Sequence, residues 1–125
     1  MDENAIGEAI LGCALKVHRA LGPGLLENAY ETCLAIELKK AGLAFSRQPA
    51  MPVFYDGEKI DLGYRLDLLI EDRVVVEIKA IEKIADIHRA QLLSYLKLGG
   101  FRLGYLLNFN VGLMRDGIVR MVHRL

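Results

Sequence analysis

The segment Val74-Val75-Val76-Glu77-Ile78-Lys79 restricts what this chain can fold into more than any other. Three consecutive valines put β-branched side chains on both faces of a strand, so that strand belongs inside a sheet covered on both sides. Alternation sets Val75, Glu77 and Lys79 on one face and Val74, Val76 and Ile78 on the other. A carboxylate therefore stands in a strand that has to be buried. Upstream, Tyr64-Arg65-Leu66-Asp67-Leu68-Leu69-Ile70 repeats the pattern: Arg65, Asp67 and Leu69 share a face, and aliphatic residues enclose Asp67 in sequence.

Around these two strands the chain reads as follows. Ile6, Ile10, Cys13, Val17 and Leu21 recur at helical spacing and predict a helix over residues 5–21, broken by Gly22-Pro23-Gly24. A second helix is expected over 25–41, with Leu26, Ala29, Tyr30, Cys33, Leu34 and Leu38 apolar and Gly42 as its stop. Residues 45–48, 51–55, 63–70 and 73–79 predict strands in a mostly antiparallel meander. A third helix over 86–98, N-capped by Asp86, ends at Gly99-Gly100 before a strand over 102–108. A last hairpin is expected over 111–122, around Arg115-Asp116-Gly117. The order ααββββαββ describes one α/β domain over residues 1–125.

Composition narrows the function classes. With 53% hydrophobic residues, the chain can bury a core without disulfides or a structural metal. Cys13 and Cys33 show no CxxC spacing and read as core residues of a protein kept in a reducing compartment. The apolar stretch over 9–15 is too short to span a bilayer, and Asp2, Glu3 and Glu8 precede it, so a cytoplasmic location without membrane contact is expected. A net charge of zero argues against coating nucleic acid by bulk charge, yet it is a cancellation. Residues 1–82 carry 9 Lys+Arg against 14 Asp+Glu, and residues 83–125 carry 7 against 2. Lys83, Arg89, Lys97, Arg102, Arg115, Arg120 and Arg124 are expected to form a local phosphate-facing surface. The Gly22-Pro23-Gly24 turn lacks GxxxxGK[ST] spacing, Ser46 and Ser94 sit in no nucleophile elbow, and three scattered histidines make no zinc site.

Isolated ionised carboxylates in a buried strand cost several kcal/mol, roughly, unless compensated. One reading makes Glu77 and Lys79 a pair on a solvated face and gives Asp67 to Arg65 or Lys79. The other supplies a hard divalent cation, which prefers oxygen ligands and keeps both acids ionised. Glu27 belongs to the first turn of the second helix, where an acid suits the positive helix end, and it shares a face with Tyr30 and Leu34. His88, Gln91 and Tyr95 form a polar stripe on the third helix, as a solvated face also would.

Asp67 followed by Glu77-Ile78-Lys79 resembles the metal-binding signature of the PD-(D/E)XK nuclease superfamily, and Gly24-Leu25-Leu26-Glu27-Asn28-Ala29-Tyr30 resembles the motif of the small bacterial GxxExxY proteins grouped with it. The resemblance covers residues 6–122, and it departs from the superfamily pattern at Leu66, where the name has proline. It implies a restriction-endonuclease-like α/β fold, a mixed central sheet flanked by helices. It also implies a metal-dependent nuclease acting on DNA or RNA with Mg²⁺ (or Mn²⁺). On that resemblance Asp67, Glu77 and the Ile78 carbonyl are the metal ligands and Lys79 positions the attacking water. Glu27 serves a second ion or the water around the first, Gln91 orients the site, and His18, Tyr30, His88 and Tyr95 belong to the pocket. The alternative is a catalytically silent module that binds nucleic acid or protein on the same fold. Specificity is left to loops, a homodimer or a partner protein.

Overall fold

In the computed structural model, which describes residues 1–125, the valine run lies at the centre of a sheet, as its composition requires. The elements along the chain are α1 (Glu3–Leu21), α2 (Glu27–Lys40), β1 (Phe45–Arg47), β2 (Val53–Tyr55), β3 (Glu58–Ile60), β4 (Leu68–Ile70), β5 (Val74–Lys79), α3 (Asp86–Gly99), β6 (Leu103–Asn108), a 3₁₀ turn (Met114–Gly117) and β7 (Ile118–Val122). Five strands form one mixed sheet in the order β1-β4-β5-β6-β7, while β2 and β3 pair separately. β4 and β5 are antiparallel, from Ile70↔Val74 to Leu68↔Val76. β5 and β6 are parallel, from Val74↔Leu103 to Lys79↔Asn108, and α3 supplies the crossover that a parallel pair needs.

Alternation along β5 then assigns its side chains to two cores. Val74, Val76 and Ile78 join Leu103, Tyr105 and Leu107 beneath Ile6 and Ile10 of α1 and Leu34 and Leu38 of α2. Val75 and Leu106 meet Leu92 and Leu96 of α3, together with Met51, Val53 and Leu66. Gly104 permits that second contact, since a Cβ there would lie 3.1 Å from both the Leu92 and the Leu96 side chain. This mixed sheet covered by helices on both faces is the restriction-endonuclease-like α/β fold that the resemblance implies. No helix is long and apolar enough to cross a membrane.

The structure corrects several boundaries. α1 starts at Glu3 because Asp2 caps it, its Oδ1 accepting the Ala5 N–H at 2.8 Å. α2 starts at Glu27, with Leu26 still extended. Asp86 is not the cap of α3: Ala85 is, and the His88 Nδ1 accepts the Ala85 N–H at 2.9 Å. The middle holds five strands instead of four, because Asp56 and Gly57, both at positive φ, turn the chain into β3. The expected strand over 63–70 contracts to β4, preceded only by the Ala50↔Arg65 bridge. At the end, Arg115-Asp116-Gly117 closes a 3₁₀ turn, and only β7 follows, antiparallel to β6. A Cβ at Gly117 would collide with the Asn108 carbonyl.

Candidate active site

The ladder between β4 and β5 stops at Leu68↔Val76, and the two strands then fork. Past the fork, Asp67 turns away with its carbonyl accepting the Gln48 N–H at 2.9 Å, while the Leu66 N–H donates to Pro49 at 3.0 Å. The two main-chain amides left open at the fork are met by the two acids. Asp67 Oδ2 accepts the Ile78 N–H at 2.7 Å, and Glu77 Oε2 accepts the Asp67 N–H at 2.7 Å. Each carboxylate thereby stands in for a missing rung of the sheet.

Burial governs the charge state of this pair. Glu77 is only 8% exposed. Loss of water, and secondarily the neighbouring Asp67 charge, push its carboxyl up to about 8, against the opposing pull of the Asp67 amide and of Lys79. Asp67 is also raised, chiefly by burial, while its bonds from Ile78 and Gln48 work against the rise.

Beside the fork lies an open cleft of about 540 Å³, lined from α2 by Glu27, Asn28 and Glu31, from the end of β1 by Arg47 and Gln48, and from the fork by Asp67 and Ile78. Glu31, Arg47 and Gln48 were not visible as site residues in the sequence. Glu31 is buried, and its Oε2 accepts from Arg47 Nε at 3.2 Å and Nη2 at 2.9 Å. Its Oε1 accepts from Gln48 Nε2 at 2.8 Å, and the same Nε2 lies 3.4 Å from Asp67 Oδ1. Gln48 achieves this in the left-handed region, at φ 54°. The available signal was spacing: Glu31 is four residues after Glu27, on the same helical face.

The remaining residues singled out in the sequence divide into two groups. Lys79 is half-buried on the Glu77 face of β5 and has no carboxylate within ion-pair distance, although its charge favours ionisation of both acids. On α3, Gln91 Nε2 donates to the Tyr95 hydroxyl at 2.9 Å. The Tyr95 phenol is raised first by burial and then by the Glu77 charge, and its ring lies 6.0 Å from that of Tyr64. Of the residues expected at the site, Glu27, Asp67 and Ile78 line the cleft, whereas Glu77, Lys79, Gln91, Tyr95, His18, Tyr30 and His88 do not. His18 Nε2 is 2.7 Å from the Val111 carbonyl, and His88 caps α3. Tyr30, fully buried and stacked on Phe109 at 4.6 Å, donates to the Gly22 carbonyl at 2.7 Å and accepts the Leu25 N–H at 3.1 Å. It thus fixes the turn from which α2, and Glu27 with it, begins.

The expected basic surface does not form as one patch. Arg102, just before β6, and Arg124, just after β7, lie at the end of the sheet where Val74↔Leu103 and Leu103↔Val122 pair. Glu77 and Lys79 lie toward the other end of β5, about 10–17 Å away. Lys97, in the last turn of α3, also stands apart from Lys83 and Arg89, which flank the start of that helix. The antiparallel return of β7 and the length of α3 divide charges that lie close together in sequence.

Whether the fork suits a metal is decided by its donors. No three His, Cys, Asp or Glu side chains converge into a complete cage. Asp67 and Glu77 nevertheless present two oxygen donors held against each other's strands. The N–H and C=O of a strand residue face the same side, so the Ile78 carbonyl turns with its N–H toward the Asp67 side. Two carboxylates, a carbonyl and water make the sparse all-oxygen set that Mg²⁺ accepts. The donor chemistry fits a hard divalent cation.

The sequence model of the PD-(D/E)XK nuclease superfamily matches residues 4–121. No curated protein and no solved structure gives a significant match.

Proposed function

The chain belongs to the PD-(D/E)XK nuclease superfamily, and on that premise we propose that it is a divalent-metal-dependent nuclease of the GxxExxY type, hydrolysing phosphodiester bonds of DNA or RNA. The single observation that carries this reading is the fork, where a buried carboxylate, Glu77, and a half-buried one, Asp67, both with raised pKa values, stand on adjacent strands beside an open cleft. Asp67, Glu77 and the Ile78 carbonyl would hold the cation, Mg²⁺ or Mn²⁺. Bound there, it would neutralise charge growing on the phosphoryl oxygens and make water acidic enough to act as nucleophile near neutral pH.

The protein's own groups do the rest. Glu77 would have to be ionised to serve as a ligand, its proton passing to solvent. Lys79, free of any ion pair, donates a hydrogen bond to the attacking water and holds it in line. Glu27, at the exposed start of α2, faces the same cleft and completes its acidic wall. The Gln91–Tyr95 pair supports the Glu77 side from α3.

The test is cleavage of single- and double-stranded DNA and RNA in Mg²⁺. Asp67→Ala and Glu77→Ala should each abolish it while the circular dichroism of the fold persists. Cleavage at the wild-type rate by the double variant overturns the proposal. One observation favours a second reading, a silent binding module: both acids already satisfy main-chain amides and so have a structural role without metal. That reading requires nucleic-acid or protein binding with neither cleavage nor site-dependent metal binding.

A further inference from the structure

The cleft is lined by three acidic side chains, Glu27, Glu31 and Asp67, and by one cation, Arg47. A phosphate entering it meets three acids of like charge, so the orientation of that one cation matters. Glu31 Oε2 holds Arg47 through Nε and Nη2, and Thr32 Oγ1 accepts a second bond from Nη2 at 3.1 Å. Glu31 is in turn fixed at its other oxygen by Gln48. These contacts use one edge of the guanidinium. Nη1 takes part in none of them, and the side chain remains 38% exposed. A planar fork clamped along one edge and open on the other is already oriented for a phosphate oxygen.

We propose that Arg47 grips a phosphate group of the nucleic-acid strand through its Nη1 edge, an assignment that rests on the nuclease reading above. Glu31 is then a positioning residue: it aims the guanidinium and touches no substrate. The group gripped is either an internal phosphodiester or a terminal phosphate, which share the same oxyanion chemistry.

The experiment is fluorescence anisotropy of a labelled single-stranded DNA oligonucleotide in EDTA, over about 50 to 300 mM KCl, where neither cleavage nor metal contributes. Its outcome is therefore separate from that of the metal-dependent assay. Arg47→Ala should weaken binding about 10-fold and reduce the slope of log affinity against log salt by about 0.7, the signature of one lost phosphate contact. Arg47→Lys should keep the slope but bind several-fold more weakly, since one ammonium cannot hold Glu31 and a phosphate at once. If Arg47→Ala fails to fold, the lysine variant carries the test. An equal loss with 5′-hydroxyl and 5′-phosphorylated oligonucleotides assigns an internal diester, and a loss confined to the latter assigns a terminal phosphate. Wild-type affinity and slope in the folded variants overturn the proposal, because an arginine that only braces Glu31 would lower the melting temperature and leave the salt slope alone. A wild-type protein that binds neither oligonucleotide overturns it as well.

Discussion

Replacing Glu77 by glutamine should make the metal-free protein more stable at neutral pH, although it removes a proposed metal ligand. The carboxyl sits at about 8 in the fold against 4.5 for the free side chain. Below pH 4.5 both the folded and the unfolded chain hold the proton, and nothing is lost. Between 4.5 and about 8 the unfolded chain ionises while the fold does not, so stability falls as pH rises, and above about 8 it levels off. At pH 7 the accumulated loss is about 3 kcal/mol, at 1.36 kcal/mol per pH unit. Glutamine keeps an oxygen to accept the Asp67 N–H, now made at 2.7 Å, and never ionises. Urea unfolding in EDTA from pH 4.5 to 8.5 measures the difference. Wild type and Glu77→Gln should nearly coincide at the acid end, with the variant pulling ahead by about 3 kcal/mol at pH 7. Added Mn²⁺ should then stabilise the wild type and leave the variant little changed. A constant difference across this range, or a wild type that gains on the variant as pH rises, would refute the argument that burial suppresses the charge of Glu77.

Two further predictions follow from the same geometry. Lys79→Ala should slow cleavage by about 10²-fold or more with Mn²⁺ binding retained, read by single-turnover rates beside calorimetry. Tyr30→Phe removes a hydroxyl that bonds both Gly22 and Leu25. It should cost about 1–3 kcal/mol in urea unfolding, with little change in overall secondary structure by circular dichroism.

The fold was legible where one residue type left the chain little choice. Three valines ahead of Glu77 required a doubly covered strand, and β5 is one. Alternation also assigned the faces of β5 correctly, with Val75 toward α3 and Val76 toward α1 and α2. Alternation does not say where pairing stops, however, and the fork depends on that. The segment over 63–70 reads as strand throughout, yet only Leu68–Ile70 is β4, because Asp67 turns to pair with Gln48. The Glu31–Arg47–Gln48 network escaped for a related reason. Its members come from α2 and the end of β1, and only the packing of α2 over the sheet brings them to Asp67. Tyr30 shows the converse: its motif position points to a pocket role, but its hydroxyl is fully occupied in shaping the turn before α2. The basic excess of residues 83–125 does not form one surface, because charge counted along a chain ignores which end of a strand each residue reaches.

The most direct test of the central claim is the number of protons released when Mn²⁺ binds, measured by calorimetry in two buffers of different ionisation enthalpy. With Glu77 at about 8, binding through Asp67 and Glu77 at pH 7 should release about one proton per ion, and the release should fall away near pH 9. Glu77→Gln should bind more weakly and release far less, and Asp67→Ala should lose the site. Mn²⁺ binding that is unchanged in both variants, or no binding by the wild type at millimolar concentration, would contradict the assignment of these two carboxylates to a metal.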